Sequence, residues 1–302
     1  MATTTTVMAG TSTREKARAL ASGRPKITGG RVLLYVGVVL MVLFCIAPLI
    51  WVFDEALKPA AEWSAAPPTA FPSHVTVESF SSAFNDHPSF AGNIKNSVII
   101  AGSSTLLALV FGITAGYAIA RLKFRGRTLV LTLILLVTFF PQIAIIGPLF
   151  VFFNQQHWID TYQALILPNL VFSLPLTIFL LVTFFRQLPF ELEESARMDG
   201  AGVVRTLFSV VLPLAAPGVF TAAILAFIGA WNDFIFAVSF TTNDSVQPVT
   251  IGLVNFFGGA SFSFPWGEIA AGAIVVTVPL IIVVLILQRQ IVAGLTAGAV
   301  KG

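Results

Sequence analysis

The segment ELEESARMDGAGVVRTLFSVVLP, residues 191–213, is the longest charged and helix-forming part of a mostly apolar chain. Long apolar runs flank it on both sides, so we expect it at a membrane surface. Glu193 and Arg197 are four residues apart, a spacing that favours attraction between opposite charges on a helix. Gly200 can adopt the positive φ that ends a helix. The segment therefore predicts two short helices, the second with an apolar stripe formed by Val203, Val204, Leu207 and Phe208.

The composition excludes an ordinary soluble domain. Of 302 residues, 56% are hydrophobic and 10% are charged, and the mean hydropathy is +0.90. Since a helix needs roughly 20 apolar residues to cross a bilayer, the chain is long enough for about six spans. Cys45 is the only cysteine, which excludes an intrachain disulfide and a cysteine metal cluster.

Six apolar segments predict an all-α membrane protein with six transmembrane helices. Pro48, Pro141 and Pro148 predict bends within them. The pair Gly112 and Gly116 either lets two helices approach closely or is a chance spacing in a glycine-rich chain. The stretches between the spans, 54–92 and 241–265 among them, are predicted as loops. The predicted spans are Val32–Phe53, Asn93–Ala120, Thr128–Phe153, Gln163–Phe185, Leu214–Phe240, and a sixth from Trp266 to about Leu287.

The basic residues indicate the orientation. All Lys and Arg residues except Lys58 and Lys95 fall on the side of the predicted membrane that holds the N-terminus. This asymmetry predicts that both termini and residues 186–213 are cytoplasmic and that the long loop 54–92 faces outward. It also accounts for the net charge of +3 without a nucleic-acid partner. Residues 1–30 are expected to be a disordered cytoplasmic tail, and 31–302 to form one six-span domain that ends in a cytoplasmic tail, 288–302.

The sequence offers no catalytic or phosphate-binding motif. It lacks the Gly-x-x-x-x-Gly-Lys-Ser/Thr loop that cradles phosphates, so ATP, if it is used, is expected to bind to another chain. His74, His87 and His157 are predicted to be solvated residues of outward loops rather than metal ligands. A polytopic membrane enzyme would need a catalytic cluster, and the sequence shows none.

Polar residues within the apolar segments are candidates for a solute pathway. Asp233 either lines a water-filled cavity or ends a helix at the interface, with Trp231 as its aromatic anchor. Amide side chains donate and accept hydrogen bonds at once, which suits sugar hydroxyls, but they equally suit contacts between helices. The candidate pathway residues are Gln142, Asn169, Asn232, Asp233 and Asn255, with Ser173 beside them.

The charged segment resembles the EAA loop of ABC importer permeases. Glu194-Ser195-Ala196, three residues, Gly200, nine residues, Val210, one residue and Leu212-Pro213 match the family spacing throughout. The chain departs from the pattern at Ser195, usually Ala, and at Val210, usually Ile. Periodicity alone is equally compatible with a solvated amphipathic connector. The resemblance implies that residues 186–213, here called the coupling loop, dock on a cytoplasmic ATPase through Glu193, Glu194, Ser195, Ala196, Arg197, Asp199 and Gly200.

Further segments resemble the second membrane subunit of maltose-type carbohydrate importers, over roughly residues 33–302. They include Lys58-Pro59, Phe71-Pro72, Asn96-Ser97, residues 116–127 (GYAIARLKFRGR), Trp231-Asn232-Asp233-Phe234 and residues 294–302 (GLTAGAVKG). The resemblance implies a second permease, two ATPase copies that bind ATP and Mg²⁺, and an extracytoplasmic sugar-binding protein, in a prokaryotic cell membrane. It also implies an ATPase contact at the C-terminus, through Thr296, Ala297, Gly298 and Lys301.

These observations together predict a permease subunit of an ATP-driven importer for a carbohydrate, such as the disaccharides trehalose or maltose. It has no cofactor of its own and is not an enzyme. The alternatives are a permease for another polar solute and a stand-alone proton-coupled carrier. The carrier would need more buried acidic residues than Asp233.

Overall fold

The computed structural model describes residues 29–63, 69–258 and 264–299, with the backbone alone for 29, 31 and 287–299. All regular structure in these ranges is helical. Short 3₁₀ turns at Ala60–Glu62, Val137–Phe139 and Phe256–Gly258 and a π-helical turn at Leu207–Val211 accompany the α-helices. The α-helices are α1 Gly29–Leu57, α2 Glu78–Asn85, α3 Phe90–Arg121, α4 Arg127–Leu136, α5 Gln142–Gln155, α6 Tyr162–Gln187, α7 Glu191–Met198, α8 Val203–Thr206, α9 Leu212–Leu214, α10 Ala216–Trp231, α11 Ile235–Phe240, α12 Val249–Asn255 and α13 Trp266–Ala299.

The helices of the described residues support between four and six membrane spans. Four are long and apolar enough alone: Val32–Leu57, Phe90–Arg121, Tyr162–Gln187 and Trp266–Ile286. Two bent pairs raise the total to six if each crosses once: Arg127–Phe139 with Gln142–Gln155, at 89°, and Val203–Leu214 with Ala216–Trp231, at 81°.

Proline explains the first bend. Phe140 is extended, with φ −75° and ψ 125°, because the ring of Pro141 disfavours a helical conformation in the preceding residue. The third predicted span is therefore two helices at nearly a right angle.

The predicted fifth span, Leu214–Phe240, is wrong at its carboxyl end. α10 ends at Trp231, and a separate helix starts at Ile235. Asp233 Oδ1 accepts a hydrogen bond from the backbone N–H of Phe236 at 3.3 Å. The break thus provides an acceptor for a backbone N–H in the first turn of α11. Hydropathy does not detect this break, because the residues around it stay apolar.

The contacts divide the described residues into two compact units, with the boundary between Trp51 and Val52. In the first, residues 29–51 are helical, and large apolar side chains such as Leu33 and Phe44 are exposed. In the second, α3, α6 and α10 pack against one another at the centre.

Glycines set the distance between α3 and α6. A Cβ atom at Gly112 would lie 2.6 Å from Thr177 Cγ2, and one at Gly116 would lie 3.1 Å from Leu181 Cβ. Real Cβ atoms essentially never come as close as 2.6 Å, and 3.1 Å is tighter than nine in ten of their contacts. Of the two alternatives for this glycine pair, the structure therefore shows the close approach of two helices.

Three predicted loops and tails contain regular structure. Helix α2 interrupts 54–92, and α12 interrupts 241–265. The predicted C-terminal tail instead continues α13 as far as Ala299. These helices are short or lack a span's hydropathy, so a search for apolar runs does not find them.

The structure rejects one open alternative, that Trp231 is an interfacial anchor, and one prediction, that His87 is a solvated loop residue. Trp231 is 1% exposed and packs in a cluster with Phe90, Val249 and Phe256, so it is a core residue and not an interfacial anchor. His87 stacks on Phe256, with the ring centroids 3.9 Å apart, and its Nε2 lies 3.2 Å from a carboxylate oxygen of Glu268. His74 and His157 are exposed, as predicted.

Candidate functional site

The coupling loop begins with α7, whose charges match the helix dipole. Three glutamates lie in its first turn and Arg197 in its last. The helix ends in a paired-hydrogen-bond cap, in which Gly200 N–H donates to Arg197 O at 3.0 Å and Ala201 N–H donates to Ala196 O at 2.9 Å. Gly200 has φ +81°, so the predicted break at this glycine is confirmed.

Glu193 anchors this helix to α3. Its side chain is 1% exposed, and its Oε2 accepts a hydrogen bond from the hydroxyl of Tyr117 at 3.0 Å. Its Oε1 lies 2.8 Å from Arg121 Nε, close enough for an ion pair although the angle is not that of a hydrogen bond. The predicted partner Arg197 is further away, at 3.8 Å, and much of its side chain is exposed. Glu193 therefore points into the protein and not to the outer surface of the loop.

Arg121 joins two parts of the loop. Its Nη2 donates a hydrogen bond to the backbone oxygen of Leu188 at 2.7 Å. The ring of Phe190 lies 5.8 Å from the Arg121 guanidinium and 5.6 Å from that of Arg197, within cation–π range of both. Sequence reasoning missed this role of Arg121 and Tyr117. The available signal was their spacing of four residues, which puts both on one face at the end of α3.

The second half of the loop divides into a buried and an exposed part. Leu207 and Val211, on the π-helical turn, pack with Tyr117 and Phe185. Val203, Val204 and Phe208 are exposed, so the predicted apolar stripe is split and only Leu207 faces the core.

The outer surface of the loop is both charged and apolar. Met198 is 88% exposed and Val204 is 69% exposed. The remaining residues predicted to dock on an ATPase are Glu194, Ser195, Arg197, Asp199 and Gly200, all exposed, and Ala196, which is half-buried. This surface is firmly anchored from beneath and has exposed apolar groups available to a partner.

A polar cleft of about 170 Å³ lies between α5, α6 and α10. Of the predicted pathway residues, it brings together Gln142, Asn169 and Ser173, with Thr177 beside them. Phe172, Leu176 and Leu225 provide apolar walls. Amide and hydroxyl groups against such walls can bind the hydroxyls and the apolar faces of a small polar solute.

Asp233 lies next to this cleft but does not line it. Asn169 Nδ2 donates to Leu165 O at 3.0 Å and to Asp233 Oδ2 at 3.3 Å. Since Asp233 also accepts the N–H of Phe236, its carboxylate holds the junction of α10 and α11 against α6.

Asn232 and Asn255 lie apart from the cleft. Asn232 Nδ2 donates to Ile228 O on its own helix, and the side chain is exposed. Asn255 Nδ2 donates to the Gln247 side chain at 3.2 Å.

Sequence reasoning missed a buried polar cluster at the start of α3. Asn93 and Asn96 both donate to Gln247 O, at 2.9 Å and 3.0 Å, and Ser97 Oγ accepts the N–H of Val249 at 2.8 Å. Buried amides need such partners. The segment before α12 is therefore held on the end of α3 that lies opposite the coupling loop.

A family model described as "Binding-protein-dependent transport system inner membrane component" matches residues 108–296. The chain belongs to this family. The match contains the coupling loop, the cleft and most of α13, so the geometry described above is that of a transport-system membrane component.

Curated members of this transport family align over nearly the whole chain. The trehalose transport system permease protein SugB of Mycobacterium tuberculosis is 44% identical over 87% of this chain and 95% of its own length. The trehalose/maltose transport system permease protein MalG of Thermococcus litoralis is 39% identical over 90% of this chain and 97% of its own. The sulfoquinovosyl glycerol transport system permease protein SmoH of Agrobacterium fabrum is 38% identical over 94% of this chain and 99% of its own length.

A solved structure confirms the fold. A chain of a bacterial ABC transporter that imports the acidic polysaccharide alginate superposes with a TM-score of 0.72 at 21% identity, over 95% of this chain and all of that one. This transport-family chain therefore has the ABC importer permease fold, as predicted.

The C-terminal residues predicted to contact an ATPase are described only in part. Thr296, Ala297 and Gly298 lie on the last turns of α13, where the backbone alone is described, and Lys301 is outside the described residues.

Among the described residues, no group of three His, Cys, Asp or Glu side chains could hold a metal ion.

Proposed function

We propose that this chain is one permease subunit of a carbohydrate importer driven by a separate ATPase. One observation carries the proposal: the coupling loop is anchored through buried Glu193 to Arg121 and exposes charged and apolar side chains on its outer surface. A surface so held can transmit force to the spans instead of yielding locally. The likeness to permeases named for trehalose and maltose supports a disaccharide as the substrate.

Helix α3 would carry the motion across the membrane. It runs from Phe90 to Arg121, a length of about 48 Å at 1.5 Å per residue. One end holds Glu193 of the coupling loop, and the other holds the segment before α12 through Asn93 and Asn96. Closure of the ATPase pair would thus shift both ends of one rigid helix and open the pathway in turn to each side.

The polar cleft would form this chain's part of the sugar pathway. Gln142, Asn169 and Ser173 offer donors and acceptors for sugar hydroxyls, and Asn169 is fixed in place by Asp233. Asn232 and Asn255 would act outside the cleft. A permease for another polar solute would use the same groups, so the sugar must be identified by experiment.

The proposed assembly contains a second permease, two ATPase copies and an extracytoplasmic sugar-binding protein. ATP and Mg²⁺ would bind to the ATPase copies. The docking surface for the ATPase would consist of Glu194, Ser195, Ala196, Arg197, Asp199 and Gly200, with Glu193 beneath it. The C-terminus would add Thr296, Ala297, Gly298 and Lys301. Both termini would be cytoplasmic, and residues 54–92 would face the binding protein.

ATP hydrolysis by the complex, purified through this chain, tests the proposal. We expect an ATPase to co-purify and its turnover to rise when a loaded sugar-binding protein is added, and the stimulating sugar names the substrate. The unloaded binding protein is the control. If the chain purifies alone and accumulates solute under a proton gradient without ATP, the importer proposal is wrong and Asp233 becomes the group to study.

A further inference from the structure

The loop between α3 and α4 holds a dense group of cations. Residues 121–127 read RLKFRGR, and Gly126 turns the chain back into α4 with φ +86°. Lys123, Phe124, Arg125 and Arg127 line a shallow concavity of about 450 Å³. Four basic residues within seven positions must repel one another unless anions compensate them.

Only one of these cations is compensated within the described part of the chain. Arg121 turns inward and pairs with Glu193. Lys123, Arg125 and Arg127 are exposed, and none of them makes an ion pair or a side-chain hydrogen bond to any described residue. Three positive side chains therefore face one concavity without an ion-pair partner among the described residues.

Exposed apolar side chains surround the concavity. Leu122 and Phe124 are exposed within the loop itself. Helix α4, which follows directly, has no buried residue and exposes Leu129, Leu133 and Leu136 along its length. An amphiphile with an anionic head and apolar chains matches this order of charged loop and apolar helix.

We propose that Lys123, Arg125 and Arg127 bind the phosphate headgroup of an anionic phospholipid, whose acyl chains lie along α4. The site goes beyond the transport role and does not depend on which solute is carried. It lies on the side of the membrane that holds the coupling loop, because the neighbouring Arg121 contacts Glu193. A bound lipid would thus lie beside the helix that anchors that loop.

An acidic patch on a partner protein is the competing occupant. It would account for the cations but leave the exposed leucines of α4 without a complement. A lipid accounts for both, since headgroup and chains are one molecule. With a bound anionic lipid, the lipid next to Phe124 should depend on headgroup charge. With a bound protein it should not.

A local quenching experiment tests the site. Phe124→Cys in a Cys45→Ala background places one fluorophore in the loop of the full complex, reconstituted in phosphatidylcholine bilayers. Small equal amounts of brominated phosphatidylglycerol or brominated phosphatidylcholine then report which lipid lies next to it. A second label at Phe139→Cys, a highly exposed position beyond the far end of α4, is the matched control.

We expect the anionic lipid to quench the label at residue 124 about 3- to 10-fold more strongly than the neutral lipid. The ratio should fall to about 1 in Lys123→Gln/Arg125→Gln/Arg127→Gln, and fall in 1 M salt, where the screening length is about 3 Å. Removal of the same charge through Arg14→Gln/Lys16→Gln/Arg18→Gln should leave the ratio unchanged, and the label at residue 139 should show no preference.

Equal quenching by both lipids with the loop intact would overturn the proposal. So would an equal loss of preference in the control triple variant, which would mean that net charge and not this site attracts the lipid. If there is no lipid preference and the loop variant loses its ATPase subunits on purification, the concavity binds protein instead. A failed importer test leaves these readouts unaffected, since they measure lipid contact and not transport.

Discussion

The carboxylate of Glu193 and the guanidinium of Arg121 lie 2.8 Å apart, on different helices, with both side chains almost fully withdrawn from solvent. Removal of one partner from a buried pair leaves an uncompensated charge, which is more costly than replacement of both partners by apolar groups. The attachment of the coupling loop to α3 therefore depends on two residues that must be present together.

Glu193→Gln should destabilise the complex by about 3 kcal/mol, because Arg121 stays buried without its counter-charge. The measurement is thermal unfolding of the purified complex. Glu194→Gln is the control, because its carboxylate is exposed on the same helix and should change stability by less than about 0.5 kcal/mol. Equal shifts in the two variants would refute the anchoring role of Glu193.

Glu194→Lys should weaken docking of the ATPase without unfolding the permease. The substitution reverses one exposed charge on the proposed docking surface. The measurement is the yield of ATPase that co-purifies, together with the unfolding midpoint. Glu78→Lys makes the same change at an exposed position of α2 and should retain the full yield. An undiminished ATPase yield with Glu194→Lys would remove this residue from the docking surface.

Gly200→Asp should uncouple ATP hydrolysis from uptake. Gly200 has φ +81° and open space around it, so a side chain there strains the backbone, by about 1 kcal/mol or more, without any collision. Gly202→Ala is the control: Gly202 also has open space, but its φ is −72°. Uptake in vesicles should fall for the first variant only, and normal uptake by Gly200→Asp would show that the helix break is dispensable.

Gly112→Ala should destabilise the permease by about 1–3 kcal/mol, because the new methyl group would meet Thr177 across the α3–α6 contact. Gly102 lies on the same helix with nothing within 4 Å of its would-be Cβ, so Gly102→Ala should be neutral or slightly stabilising. Unfolding midpoints of the two variants separate packing from helix propensity. A neutral Gly112→Ala would mean that the two helices can move apart at little cost.

Asp160 should contribute stability that depends on pH. Partial burial opposes ionisation of its carboxyl group, but hydrogen bonds from the hydroxyl and N–H of Thr242 and the N–H of Asn243 outweigh this and hold its pKa below the usual value of 3.8. The contribution is therefore complete above pH 3.8 and is lost as the pH falls through the lowered pKa. Asp160→Asn should lower the unfolding midpoint at pH 7, and the difference in midpoint from the wild type should be smaller near pH 3. A difference that does not shrink at low pH would show that the charge is irrelevant.

Apolar run length and glycine chemistry made much of the fold predictable. The spans around α1, α3, α6 and α13 follow from hydropathy, and the cap at Gly200 follows from a local conformational preference. The break at residues 232–234 and helix α12 were not predictable in this way, because polar groups at or next to them find partners far along the chain. Asn169 donates to Asp233 in the break, and Asn93 donates to Gln247 O just before α12.

The candidate site was predictable in its location but not in its orientation. The spacing around Gly200 identified the coupling loop, yet the direction of Glu193 depends on Tyr117, 76 residues earlier. Of the five pathway candidates, the cleft contains Gln142 and Asn169. A sequence gives the polarity of a residue in a span, whereas the face that it occupies depends on helix packing.

The bend at Ala215 sets the second half of the coupling loop nearly at a right angle to α10. Residues 203–214 meet α10 at 81°, and Ala215 at the joint is 2% exposed, so the joint is enclosed by packed side chains. A sideways displacement of the free end of residues 203–214, here called the arm, would turn α10 about its own axis, because the two segments are nearly perpendicular. With an arm of roughly 18 Å at 1.5 Å per residue, a displacement of about 3 Å at Val203 would rotate α10 by about 10°. Because Leu225, Ala226 and Gly229 of α10 line the polar cleft, that rotation would change which atoms the cleft presents to a solute.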